Sequence, residues 1–150
     1  MIKYILLFIS FVLEFVVLNY LNIHYLYPMF TVVTIVMIYN LFKEERFYNL
    51  SVLILSCFYG LIFLNNIFLG FLIFFIMKEL VLFVNKKFDI NFFMLLFFSF
   101  FCMILFDLLL YLFLFMPFNI FYVINKILRG IIINIVYMLF LYSVIIFSSK

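Results

Sequence analysis

Charged side chains divide an otherwise apolar chain into pieces of similar length. Hydrophobic residues make up 73% of the 150 positions, and charged residues, only 10%, fall mostly in short clusters such as Lys43 to Arg46 and Lys86 to Asp89. Apolar stretches of about 20 residues match the hydrocarbon core of a bilayer when they are helical. The pattern therefore predicts an all-α, polytopic membrane protein.

We expect a single integral membrane domain, a bundle of six transmembrane helices that uses the whole chain. Pro28 fits the first turn of the second helix, where its missing N–H is not needed, and Pro117 ends the fifth. Residues 118–129 mix polar and bulky apolar side chains and indicate an interfacial helix or the frayed start of the sixth span. The predicted spans are about 4–21, 28–42, 47–64, 67–84, 91–116 and 130–147.

The distribution of lysine and arginine predicts the orientation. An even number of spans places both termini on one side, and cytoplasmic loops carry the excess of basic residues. With the N-terminus inside, Lys126 and Arg129 face outward, whereas the cytoplasmic set is Lys3, Lys43, Arg46, Lys86, Lys87 and Lys150. The chain is therefore predicted to be N-in and C-in.

The composition argues against most soluble functions. Six spans leave no room for a separate catalytic domain. The net charge of +3 is interpreted as a signal of membrane topology. Nucleic-acid binding would need a basic folded surface, which this chain lacks. No glycine-rich phosphate loop or hydrolase motif is present. Cys57 and Cys102 lack metal-ligand spacing and are expected to be apolar fillers, and His24 is a lone side chain in an outer loop. We predict a protein that is not an enzyme and has no cofactor or metal.

Four ionisable residues fall within predicted spans, where insertion at the helix centre costs about 2.5–3.5 kcal/mol each. Glu14, Lys78 and Glu79 are placed near mid-depth, and this equal depth would allow a Glu14–Lys78 ion pair. Adjacent residues diverge by about 100° on a helix, so Lys78 and Glu79 are not expected to share a face. Asp107 lies closer to the outer side.

A polar residue in the sixth span has the matching depth for Asp107. Asn134 is expected to hydrogen-bond this carboxylate. The five polar residues are interpreted as interhelical glue, that is, polar contacts between helices, including docking of a partner's helix. This interpretation is preferred to a proton relay or a substrate site, because three acids and one base do not form a conduction ladder.

Small residues are few, which makes their spacing informative. Ser56 and Gly60 are four positions apart on the third span, a pattern that lets another helix approach closely. We expect tight helix packing there, either within this chain or against a partner.

The order of these features resembles the rod shape-determining protein MreD family. Tyr59 to Gly70, with the sequence YGLIFLNNIFLG, resembles the family's glycine-containing span end, short turn and Leu-Gly. A span closed by Asn85 to Phe88, a span with a lone acid at Asp107, and a last span with an internal Asn134 follow in the family order. Pro28 at the start of the second span also fits.

This resemblance implies a non-enzymatic component of the cell-elongation complex, located in the inner (plasma) membrane of a bacterial cell. MreD-like proteins are thought to bind the single-pass protein MreC and to help organise peptidoglycan synthesis with other elongation proteins. The chain departs from the family pattern at Met29 and Asp107, where Asp and Glu are more common. The alternative is a substrate-binding S-component of a vitamin transporter, although the first span offers only Ser10 as a small residue for the packing face that those proteins use. A proton-coupled transporter is a third possibility.

Overall fold

Six α-helices account for almost all of the chain that the structure describes. The computed structural model describes residues 2–20, 27–42, 45–88, 91–114 and 119–148, and the side chains in these ranges except those of 2–4, 40–42 and 145–148. The helices are α1 (Ile2–Asn19), α2 (Phe30–Phe42), α3 (Glu45–Ile62), α4 (Ile67–Lys87), α5 (Phe92–Phe113) and α6 (Ile120–Ser148). His24 lies outside the described residues.

Three helices are long and apolar enough to cross a membrane. These segments are Ile67–Lys87, Phe92–Phe113 and Ile120–Val144, whereas Ile5–Asn19 and Phe30–Tyr39 are shorter apolar helices. The chain is therefore all-helical, and its three long apolar helices suggest a membrane protein. The six crossings and the N-in, C-in orientation stay predictions.

The last helix is longer than the sequence pattern predicts. α6 runs without a break for 29 residues from Ile120, so the segment expected to be an interfacial helix or the frayed start of the sixth span is the first part of one continuous helix. Asn119 explains the earlier start, because its side-chain oxygen accepts hydrogen bonds from the Phe121 and Tyr122 amides at 3.0 and 3.3 Å, as an N-cap does. No proline interrupts the segment that follows.

The short helix α2 lies at the centre of the bundle. Every described side chain from Met29 to Tyr39 is buried, and α2 contacts α1, α3, α4, α5 and α6. A helix that is apolar on all sides suits this position, since it leaves no face for water or lipid. The surrounding helices turn large exposed side chains outward, among them Phe8, Phe68, Phe93 and Phe97.

Helices α3 and α4 form a tightly packed antiparallel hairpin. Asn65 has a positive φ of 51°, and the Asn66 amide donates to the Gly60 carbonyl at 2.8 Å, which closes the turn. A Cβ added at Gly70 would lie 2.6 Å from the Gly60 Cα and from the Ser56 carbonyl oxygen. The close approach therefore needs glycine on α4, and the predicted Ser56–Gly60 contact is made within this chain.

Candidate functional site

The N-terminus of α2 lies inside the bundle. Asn134 contacts Met29 at the start of α2, yet it is about 20 Å along α6 from Ile120. The chain before α2 thus reaches well below the ends of its neighbours. The first N–H groups of any α-helix have no partner within the helix, and here they are far from bulk water.

Two polar side chains from other helices satisfy these amide groups. The Thr31 amide donates to Glu14 Oε2 on α1 at 2.7 Å, and the Met29 amide donates to Asn134 Oδ1 on α6 at 3.0 Å. Tyr59 on α3 donates its hydroxyl to the other oxygen of Glu14 at 3.1 Å. A carboxylate at the positive end of a helix is also electrostatically favourable. Glu14 on α1 and Asn134 on α6 therefore cap the N-terminus of α2.

The same side of α6 holds the chain that leads into α2. Asn134 donates its amide to the Tyr27 carbonyl at 3.3 Å, and a Cβ added at Gly130 would lie only 2.5 Å from that carbonyl oxygen. One turn beyond Asn134, the hydroxyls of Tyr137 and Thr34 are 2.9 Å apart. Gly130, Asn134 and Tyr137 thus form a polar and small-residue strip that orients α2 against α6.

A second polar cluster lies where α5 ends and α6 begins. Lys126 donates to Asp107 Oδ1 at 2.6 Å, and the side chains of Lys126 and Asp107 are 20% and 1% exposed. They line a cavity of about 360 Å³ together with Tyr27, Leu110, Tyr111, Leu114 and Tyr122. A hydrogen bond that the Tyr27 hydroxyl makes to Tyr122, and to a smaller extent burial, raises the pKa of Tyr27. The cluster joins a buried ion pair to an aromatic wall.

A third polar cluster, formed by Lys78 and Glu79 on α4, lies where Glu79 reaches the surface of the bundle. Lys78 Nζ and Glu79 Oε1 are 2.9 Å apart near the middle of α4, and Glu79 is 55% exposed. The ammonium of Lys78 also lies 4.5 Å from the ring centroid of Phe75. This face borders a groove of about 240 Å³ between α3 and α4, lined by Asn49, Val52, Leu53, Ser56, Phe71, Phe75 and Lys78.

The predicted pairing of Glu14 with Lys78 is wrong. Glu14 lies about 8 Å from the end of α1, whereas Lys78 lies about 17 Å from the corresponding end of α4, so their depths differ. Lys78 instead bonds Glu79. Their backbones do diverge, but both side chains are long and flexible enough for the charged ends to meet.

The predicted hydrogen bond between Asp107 and Asn134 is also wrong. Asp107 and Lys126 each lie about 9 Å from the adjoining ends of α5 and α6, whereas Asn134 is two turns deeper. The prediction failed because it placed Lys126 in an outer loop and began the sixth helix ten residues too late.

Sequence reasoning missed the residues that pair with the predicted acids. Tyr59 and Thr31 gave no distinct signal in a chain with 27 Phe and 11 Tyr. Lys126, four positions after Tyr122, was the available clue to a buried ion pair. Cys102 is buried and Cys57 is half-buried, both are free thiols, and the described residues contain no group of metal-binding side chains.

Comparison with protein-family models, with curated proteins and with solved structures finds no match for this chain. The argument for function therefore depends on the geometry of these polar groups.

Proposed function

We propose that this chain is a non-enzymatic scaffold of a bacterial cell-elongation complex, resembling MreD. It crosses the inner membrane six times with both termini in the cytoplasm. It docks the transmembrane helix of an MreC-like single-pass protein and thereby helps to organise peptidoglycan synthesis.

The ion pair on α4, in which Glu79 is 55% exposed and Lys78 16%, is the observation that carries this proposal. Lys78 and Glu79 lie near the centre of a helix long enough to cross a membrane, and more than half of the Glu79 side chain is accessible. A charged group at this depth costs about 2.5–3.5 kcal/mol on insertion scales when it faces lipid. A partner helix that supplies polar side chains over this face removes much of that cost.

The shape beside the ion pair suits one helix. The groove between α3 and α4 is apolar along Val52, Leu53 and Phe71, with Asn49 and Lys78 among its lining residues. Hydrogen bonds between helices are the usual polar contribution to association in membranes. A single-pass helix with a polar residue at mid-span therefore complements both the groove and the ion pair.

The interior gives less support to a proton relay. Glu14 and Asn134 are occupied in capping α2, and Asp107 is bonded to Lys126. Each of these groups is held by a partner on another helix, which supports the interpretation as interhelical glue.

The positions of basic residues also favour the proposed orientation. Arg46 and Lys86 lie at the end of the bundle where α3 begins and α4 ends, and Lys86 is 3.4 Å from Glu45. Lys87 lies at the same end, whereas Lys126 and Arg129 lie near the start of α6 at the opposite end. Lysines and arginines of the described residues are therefore more numerous on the predicted cytoplasmic side.

The alternative of a vitamin-transporter S-component is less well supported. Ser10, the one small residue of the first helix, is buried and donates to the Leu7 carbonyl at 2.7 Å. It is not available on the surface to dock an energising subunit.

Site-specific photocrosslinking tests the docking face. A benzophenone side chain at Phe75, in the groove, should crosslink a co-expressed MreC-like protein from the same genome, and K78L/E79L should abolish the product. Phe97, also exposed but on α5, is the matched control position. Equal crosslinking at both positions, or no effect of K78L/E79L, contradicts the proposal.

Depletion and topology experiments test the remaining parts. Depletion in the native host should make rod-shaped cells round or swollen, and normal rods after complete depletion contradict the role in elongation. Alkaline phosphatase fused after Asn65 should be active, whereas fusions after Lys87 and after Lys150 should be inactive. The opposite pattern contradicts the orientation.

A further inference from the structure

Glu79 presents an incompletely bonded carboxylate near the middle of α4. Its Oε1 lies 2.9 Å from Lys78 Nζ, and no described residue bonds its other oxygen, Oε2. The side chain is 55% exposed, so it can accept a hydrogen bond from a molecule outside this chain. Glu79 lies about 12 Å along the helix from Lys87 and about 18 Å from Ile67, which is within the hydrocarbon layer when α4 spans a bilayer. Lipid tails offer no hydrogen-bond donor at this depth.

Lys78 holds this carboxylate beside the groove between α3 and α4. Lys78 lines that groove, its side chain is 16% exposed, and its ammonium lies 4.5 Å from the ring centroid of Phe75. An ammonium has three N–H donors, so the bond to Glu79 leaves others for a further acceptor. A helix seated in the groove therefore meets one donor and one acceptor side by side.

The rest of this face of α4 is aromatic. Phe68, Phe75, Glu79 and Phe83 follow one another at intervals of seven, four and four residues, so they lie on one face of the helix. All three phenylalanines are exposed. The ion pair is therefore the polar position of this face, and its depth determines where a partner helix needs a polar residue.

The charge balance selects the kind of polar residue. Lys78 and Glu79 neutralise each other, so a lysine or arginine on the partner would leave an uncompensated positive charge in hydrocarbon, and an acid would leave a negative one. A carboxamide is neutral, and its donor nitrogen and acceptor oxygen are separate atoms. Asparagine or glutamine can therefore bond Glu79 and Lys78 at the same time.

We propose that the helix docked in this groove carries one asparagine or glutamine about 12 Å from the end of its apolar segment on the side of Lys87. The amide nitrogen donates to Glu79 Oε2, and the amide oxygen accepts from Lys78 Nζ. This assignment rests on the proposed docking role of the groove, and it adds the chemistry and the depth of the residue that the partner supplies.

Designed single-pass peptides test the assignment with the full chain in lipid bicelles. The peptides share a leucine-rich host sequence of bilayer length, in which asparagine is placed at each position in turn. Energy transfer from a dye on the peptide to a dye at the C-terminus of the chain measures binding. Affinity should have one maximum, about eight residues from one end of the host, where asparagine binds about three to ten times more tightly than leucine. A flat profile, or a maximum within one turn of either end, overturns the assignment.

The guest residue at the position of the maximum tests the charge argument. Glutamine should bind about as tightly as asparagine, whereas arginine and aspartate should bind more weakly than either. Arginine that binds as tightly as asparagine would show that the Glu79 carboxylate alone selects the partner, and it would overturn the role of Lys78.

Variants of the chain identify the groups that the peptide meets. K78L/E79L should remove the advantage of asparagine over leucine, while the leucine host still binds. The matched control E45Q/K86Q removes an exposed ion pair at the end of the bundle and should change nothing. If K78L/E79L fails to fold, the position of the maximum on the wild-type chain decides the question.

The outcomes separate the carboxamide from the docking face itself. Binding of the leucine host with no advantage for asparagine overturns the carboxamide and leaves the docking face intact, whereas no binding of any peptide overturns both. Peptide binding that falls as more chain is added per bicelle assigns the face to a second copy of the chain and also overturns the assignment. The peptides contain no natural partner sequence, so a normal cell shape after depletion would contradict the role in elongation without changing these results.

Discussion

Replacing Glu14 with Gln should destabilise the bundle although the shape of the side chain is preserved. The carboxylate accepts from both the Thr31 amide and the Tyr59 hydroxyl, at 2.7 and 3.1 Å. Gln has one acceptor oxygen, and its amide nitrogen is a donor, so one of the two partners loses its acceptor.

The size of the destabilisation follows from the buried hydrogen-bond donor that E14Q leaves without an acceptor. An unsatisfied buried donor costs about 1–3 kcal/mol. Loss of the charge beside the α2 N-terminus adds up to about 2 kcal/mol in a buried geometry, and it also removes the cost of burying a charge. We therefore expect E14Q to lower the free energy of unfolding by about 1–3 kcal/mol, and E14A by about 3–5 kcal/mol because a cavity is added.

Unfolding of the purified chain in mixed micelles, with increasing fractions of denaturing detergent and circular dichroism as the signal, measures this change. E45Q is the matched control because it makes the same chemical change at a carboxylate that is 55% exposed at the end of the bundle. It should alter the free energy of unfolding by less than about 0.5 kcal/mol. If E14Q is no less stable than E45Q, Glu14 does not cap α2 and the account of the recessed helix is wrong.

Three further changes test the packing. G70A should destabilise by more than about 2 kcal/mol and loosen the α3–α4 hairpin, because the new methyl group would meet the Gly60 backbone; unchanged detergent-unfolding curves would contradict this. N134L should cost about 1–3 kcal/mol in the same assay by leaving the Met29 amide unsatisfied, and wild-type stability would exclude the cap. K86Q should change stability by less than about 1 kcal/mol, since its ion pair is exposed, and a larger loss would show a buried role.

The starts of the helices were predictable where neighbouring residues in the sequence mark them. The starts of α2, α3, α4 and α5 lie within two or three residues of the predicted spans, because charges and asparagines interrupt the apolar runs there. The α6 start was missed because Lys126 was interpreted as a loop charge. A lysine within a helix needs a partner, and no local pattern reveals one on another helix.

The sequence by itself determined that this chain is all-helical and apolar enough for a membrane, because hydropathy and helix boundaries depend on neighbouring residues. Only the tertiary structure decided which polar groups meet. Glu14 and Asn134 serve the recessed end of α2, Asp107 meets Lys126, and Lys78 remains on the surface with Glu79. These partners depend on the depth and rotation of each helix, which are set by packing around α2 and by the close contact of Gly60 with Gly70.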